Sequence, residues 1–211
     1  MTAAPTPWRR PDPLPGFLET ERLVLRWWQA DDAAALNEAV ASDRAALLPW
    51  LPWAATTHKT VEDSATTIAW FDAMREKGED YTIGAFDKAT GEAIGGTGFH
   101  RLQPDAHEAE TGYWVRGSRQ GEGLATEMTR AMVSIGFTAQ ADGGWGLRRI
   151  HLRCMGDNRA SQRVIEKLHI PLEGRERESR WLDGAGYQDF LIYGVLSHEW
   201  DLAASGMRST P

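Results

Sequence analysis

The segment Arg119-Gln120-Gly121-Glu122-Gly123-Leu124-Ala125 lies between a stretch patterned as a strand and one patterned as a helix. Its two glycines let the backbone turn sharply and come close to a ligand. The free N–H groups and the dipole of a helix N-terminus attract an anion, and successive N–H groups form an anion nest. The chemistry such a loop offers is therefore phosphate binding. No Gly-Lys-Ser/Thr follows it and GxGxxG is absent, so it is neither a Walker motif nor the usual dinucleotide fingerprint. A second segment, Asn158-Arg159-Ala160-Ser161, follows another strand-like run and opens a short helix, a place where asparagine commonly caps. The six histidines show no metal spacing, and no metal is expected.

The elements that must position these segments follow from periodicity. Arg22–Trp28 alternates as a strand. Asp31 or Asp32 is placed to cap a helix carrying Leu36, Ala39 and Val40. Thr60-Val61-Glu62-Asp63 reads as a capping box, opening a second helix with Val61, Ile68, Phe71 and Met74 inward. Strands are expected at Tyr81–Phe86, Ala93–His100 and Glu108–Val115, then a helix from about Gly123 to Thr138 with Leu124, Met128, Ala131, Met132 and Ile135 on its apolar face. Arg149–Met155 is a strand, and Ser161, Val164, Ile165 and Leu168 share one face of the helix that Asn158 opens. Leu172–Trp181 and Tyr187–Leu196 close the chain as a hairpin through Asp183-Gly184-Ala185-Gly186. Three consecutive strands before a β-α-β-α-β run describe an α+β sheet with a parallel pair in its middle.

Composition sets the outer limits. The chain has 211 residues, 23 basic and 30 acidic side chains, and a formal charge of −7. One domain is expected at 18–202, with a proline-rich, extended or disordered arm at 1–17 and a flexible tail at 203–211. No apolar run is long enough for a membrane span, and the N-terminus has no apolar stretch of the secretory type. Cys154 is the only cysteine, which excludes an internal disulfide, favours a cytoplasmic setting and fits a small buried hydrophobe. The acidic balance disfavours nucleic-acid binding. Neither a nucleic-acid nor a membrane partner is expected.

Together these segments resemble the GNAT superfamily of acyl-CoA N-acyltransferases, whose Gln/Arg-x-x-Gly-x-Gly/Ala signature is matched by Gln120-Gly121-Glu122-Gly123-Leu124-Ala125. Within it, the local match is to the RimJ/RimL branch, the ribosomal-protein N-terminal acetyltransferases and their small-molecule relatives. It is carried by Thr20-Glu21-Arg22-Leu23-Val24-Leu25-Arg26, Glu110-Thr111-Gly112-Tyr113-Trp114, Gly121–Glu127, Asn158 with Ser161, Ile165-Glu166-Lys167-Leu168, and Leu172-Glu173-Gly174. The resemblance implies the GNAT fold: a mixed, mostly antiparallel twisted sheet of about seven strands, a central splayed parallel pair and four helices. It implies acetyl-CoA or another acyl-CoA as cosubstrate. The backbone at Tyr113, Trp114 and Val115 would pair with the pantetheine arm, and Gln120, Gly121, Glu122, Gly123, Leu124 and Ala125 would hold the pyrophosphate. Asn158 would bond the pantetheine, and Ser161 would sit beside the sulfur. Arg116, Arg119, Arg159 and Arg163 are candidates for phosphate contacts.

Three departures qualify this. Ile165 replaces a tyrosine that many members use to protonate the leaving thiolate, which makes Ser161 the better candidate. His169-Ile170 stands where Gly-Phe is usual, and Arg180 stands where some RimL-type enzymes carry a proposed base.

The reaction sets its own demands. An amine must be neutral to attack a thioester, and an α-amino group of pKa about 8 is roughly a tenth neutral at pH 7. A base is useful, and Glu110 or His100 is placed to serve, Glu110 if burial beside Tyr113 and Trp114 raises its pKa. Trp50 and Trp53 border the acceptor region as an apolar wall or a cation–π site. The expected activity is transfer of an acyl group to a primary amine, in particular a protein N-terminal α-amino group. The alternatives are a small-molecule amine or antibiotic acetyltransferase, or a non-catalytic acyl-CoA sensor. A homodimer is a possible assembly.

Overall fold

In the computed structural model, residues 6–201 are described. The expected tail at 203–211 lies outside them. The strands are β1 (Phe17–Glu19), β2 (Leu23–Trp27), β3 (Tyr81–Asp87), β4 (Ala93–Gln103), β5 (Glu108–Val115), β6 (Arg149–Met155), β7 (Leu172–Leu182) and β8 (Gly186–Leu196). They form one sheet in the order β1-β2-β3-β4-β5-β6-β8-β7. Only β5 and β6 run parallel; every other neighbouring pair is antiparallel. The helices are α1 (Ala33–Ala41), α2 (Arg44–Leu47), α3 (Val61–Lys77), α4 (Leu124–Phe137) and α5 (Arg159–Lys167).

The sheet has a core on each face. Ala109 and Val115 of β5 and Ile150, Leu152 and Cys154 of β6 bury against Leu124, Met128 and Met132 of α4 and Ile165 of α5. Opposite them, Leu36, Ala39 and Val40 of α1 and Ile68 of α3 pack on Trp28, Phe86 and Ala93. Two-residue alternation sends neighbouring side chains of one strand to opposite cores. On β5, Tyr113 leans on the α4–α5 core and Trp114 on the α1–α3 core.

Differences from the sequence expectation are local. Among the described residues, eight strands and five helices stand where about seven and four were expected, because β1 and the single-turn α2 are too short to show periodicity. Asp32 does not cap α1. Its carboxylate binds Arg26 at 2.6 Å and accepts from the Gln29 N–H. The capping box forms, with Thr60 accepting from the Asp63 N–H and Asp63 accepting from that of Thr60, but Val61 stays exposed. Residues 6–16 have no regular structure and lie against the body. Trp8 is buried and stacks on Trp145 with ring centroids 6.2 Å apart, its indole N–H on the Trp145 carbonyl. Among the described residues no helix is long and apolar enough to cross a membrane.

Candidate active site

The parallel pair is short. β5 and β6 are in register only at Glu108↔Arg149, Ala109↔Ile150 and Glu110↔His151. Beyond Glu110 the strands part. Residues 111–115 keep β4 as their partner, while 152–155 follow β8. A wedge opens with a strand edge along Tyr113–Val115, one of whose carbonyls, that of Val115, accepts from the Gln120 side chain.

The loop leaving β5 leads to α4. Gly121 and Gly123 have φ of +83° and +84°, left-handed conformations that L side chains rarely adopt. Gly123 is the N-cap and no side chain caps the helix, so its first N–H groups face outward. A Cβ at Gly121 would meet nothing within 4 Å. Leu124 is buried beneath the loop.

Two of the four arginines expected at phosphate, Arg116 and Arg119, are engaged by carboxylates. Arg116 is buried on Glu38 and Glu92. Arg119 binds Asp87, Glu92 and Glu122, and its hydrogen bonds to these carboxylates, Glu122 first, push its pKa up. Glu122 is thereby held below its usual range. These pairs brace the loop, and the anion-binding groups it offers are backbone N–H. Arg22, the residue before β2, donates to the Glu122 carbonyl and pairs with Glu127. Arg159 bonds Gln162 and Arg163 is exposed on α5.

On the α4–α5 face, the Tyr113 phenol bridges the wedge to Ser161 Oγ at 2.8 Å. Asn158 caps α5, its Oδ1 accepting from the Ser161 N–H at 3.0 Å. Burial keeps Tyr113 protonated, pushing its pKa far up, and pushes the neighbouring Cys154 thiol up to about 11. Ile165 is buried core with no polar group to offer.

The opposite face carries the charges. Glu110 accepts from Arg101 at 2.7 Å and lies 3.3 Å from His151 Nε2. A bulge in β4, with Arg101 at φ +49°, aims that guanidinium at Glu110. Burial pushes the Glu110 pKa up, but the His151 hydrogen bond and the charges of Arg101, His151 and Arg153 outweigh it and hold the carboxyl below its usual range. The expected rise toward neutrality is therefore wrong. His100 is bound to Asp80 Oδ2 at 2.7 Å. Trp114 fills the space that Gly96 leaves open and meets Trp53 edge to face, 5.7 Å between centroids. Arg44 holds the Trp53 turn by donating to the carbonyls of Ala54, Thr57 and His58. Trp50 is half-buried in the same segment.

Residues 22–170 match the acetyltransferase (GNAT) domain family. The chain belongs to the GNAT acetyltransferases. It is 30% identical over 180 residues to the N-acetyltransferase YoaA of Bacillus subtilis, covering 85% of this chain and 96% of that one. It is 25% identical over 184 residues to the ribosomal protein uS5-alanine N-acetyltransferase of Escherichia coli K12, covering 87% and 92%. The structure of RimL, a ribosomal L7/L12 α-N-protein acetyltransferase in complex with coenzyme A, superposes with a TM-score of 0.75 at 25% identity, covering 85% and 97%.

For this GNAT enzyme, the structure brings the sequence candidates into two groups. Tyr113, Ser161 and Asn158 converge at the wedge on one face, and Glu110, His100, Trp114 and Trp53 share the other. Sequence reasoning missed the Tyr113 hydroxyl, the Arg101 contact and His151. A helical offset leads from Asn158 only to Ile165 in this chain, and a cross-element phenol has no such spacing. Arg101 depends on a bulge and His151 on strand register, which only assembly of the sheet reveals.

Proposed function

We propose that this GNAT enzyme carries an acetyl group from acetyl-CoA to the α-amino group of a protein N-terminus, with ribosomal proteins as the acceptor class. The observation that carries the reading is the three-residue pairing of β5 with β6. It opens a strand edge beside an uncapped helix N-terminus, with hydroxyls on one face and a carboxylate on the other. The acceptor class rests on relatives named as ribosomal-protein alanine and serine acetyltransferases. The inferred setting is the cytoplasm.

The residues fit the cosubstrate. The N–H groups of 123–125, with the dipole of α4 behind them, would hold a pyrophosphate, and the edge at Tyr113–Val115 and the Asn158 amide would hold a pantetheine arm. When bound, acetyl-CoA supplies an acetyl group activated as a thioester. Ser161 and Tyr113 hold protons at their oxygens, 2.8 Å apart, where a leaving thiolate needs one. Glu110 receives the amine on the other face. Trp53 and Trp114 present aromatic surface to the incoming cation.

Thiol release from acetyl-CoA tests this with peptides bearing free Ala or Ser N-termini and with N-blocked, lysine-containing peptides. Turnover with the free N-termini is expected, and turnover confined to lysine or to small amines would replace the acceptor assignment.

A further inference from the structure

The face of the sheet that carries Glu110 continues past β5 onto β6, β8 and β7. On β5, alternation places Glu110, Gly112 and Trp114 on that face, and a Cβ at Gly112 would meet nothing within 4 Å. Register carries the face across the sheet, since paired residues point to the same side. His151 pairs with Glu110, Arg153 with Ile192, and Phe190 with Glu176. α1 packs on β4 and α3 on β3, whereas Arg153, Glu176, Phe190 and Ile192 are only half-buried.

Two guanidiniums meet on one ring there. The Arg153 guanidinium carbon lies 4.9 Å from the Phe190 centroid and that of Arg180 lies 5.7 Å from it. Arg153 is neutralised by Glu176. Arg180 is exposed, in register with Gln188, and no carboxylate pairs with it among the described residues. The nearby acids are engaged. Asp189, on the opposite face, binds Arg175 and accepts from the Glu178 N–H, and Asp183 accepts from the Trp181 indole. A groove therefore starts at the Glu110 carboxylate, crosses the opening at Gly112 and ends at an unpaired cation.

We propose that Arg180, seated on Phe190 beside Arg153, selects acceptor chains with an acidic side chain a few residues after the N-terminal amine. The inference deepens the acetyltransferase reading above and rests on it. Glu110 takes the amine, and the chain behind it runs over Gly112 toward β8. Phe190 lies two strands across from β5 and four residues along β8 from Gly194, which is level with Glu110. At about 4.8 Å per strand and 3.3 Å per residue, that is roughly 16 Å, the length of about five extended residues. Side chains of enzyme and acceptor both reach inward, so acids at about the third to sixth positions meet the site. Stacking fixes the Arg180 plane and leaves its edge N–H groups to take a carboxylate through two hydrogen bonds. The chain carries a formal charge of −7, which by itself favours basic acceptors. A preference for acidic ones requires a local cation such as this.

The test uses the full-length enzyme, acetyl-CoA and three peptides that share a free alanine N-terminus. They carry Glu, Gln or Lys at positions three to six. The Glu peptide is expected to exceed the Gln peptide about tenfold in kcat/KM, with the Lys peptide lower still. The difference should lie in KM rather than kcat and shrink as salt rises. Arg180→Glu should reverse the order of the Glu and Lys peptides, keep kcat for the Gln peptide and leave the Kd for CoA unchanged. Arg180→Lys, which keeps the charge without the planar fork, should retain part of the preference. A merely structural role for Arg180 would lower all three peptides alike. Equal kcat/KM for the three in the wild type, or an unchanged order in Arg180→Glu, would overturn the inference and leave the acetyltransferase standing. A wild type inert toward all three but active on a small amine would overturn the acceptor reading together with it.

Discussion

The Tyr113 hydroxyl lies 2.8 Å from Ser161 Oγ, joining β5 to α5 across the gap between the parted strands. The phenol comes from the strand along which the pantetheine is proposed to run. It supplies from β5 the phenol that α5 lacks at Ile165, which is packed into the core. If the pair protonates the leaving thiolate, Ser161→Ala should lower kcat by roughly 10²-fold while the Kd for CoA changes little. Tyr113→Phe should have a smaller effect, and the double variant should be less than additive, since the groups share one hydrogen bond. Steady-state kinetics with calorimetric CoA titration checks this. Full turnover in Ser161→Ala would assign the proton to solvent or another residue.

Gly123 at φ +84° begins α4. A β-branched side chain there is strained and also obstructs the open N–H groups. Gly123→Val is expected to weaken CoA binding at least about tenfold, roughly 1.4 kcal/mol, with the circular dichroism of a folded protein. Unchanged affinity would remove the loop from the cosubstrate site.

Glu110 and His100 face each other across β4 and β5, but only Glu110 sits where the wedge opens. Glu110→Gln should cut kcat/KM by roughly 10²-fold or more. Since its carboxyl is held below its usual range, its own titration should leave no acidic limb near neutrality in the kcat/KM profile. His100→Gln should keep most activity, because His100 is engaged with Asp80. The reverse pattern would pass the base to His100.

His58 is buried beside Trp53 and bonds Ser64 Oγ at 2.9 Å. Burial first, then the charge of Arg44, pushes its pKa down to about 4. The ring folds neutral, so its contribution to stability is complete above about pH 6.5 and is lost as pH falls toward 4, in all about 3 kcal/mol. Urea unfolding from pH 7 to 4 should show this slope. It should be smaller in His58→Asn, which keeps a residue tolerant of the +56° φ at this position. Equal slopes in the two proteins would assign the acid sensitivity to other groups.

Much of the fold was legible because its signals are local. The β5–loop–α4 unit shows in alternating residues, paired glycines and a helical apolar face, and the β7–β8 hairpin in its glycine turn. What escaped is set by assembly. Arg116 and Arg119 looked like phosphate ligands, but Glu38, Glu92 and Asp87 come from distant segments to pair with them. Glu110 was expected to be raised by burial, and the cations that reverse this come from β4 and β6. His169 stands in the turn after α5 where the family's pattern has glycine. His169 takes φ +56°, and the Ile170 N–H still reaches the Ile165 carbonyl.

The most direct measurement is tandem mass spectrometry of purified ribosomal proteins with free N-termini after incubation with the enzyme and acetyl-CoA. The account predicts one acetyl group on an α-nitrogen, absent when Glu110→Gln replaces the wild type. Acetylation confined to lysine side chains, or no protein acetylation while a small amine is consumed, would contradict it.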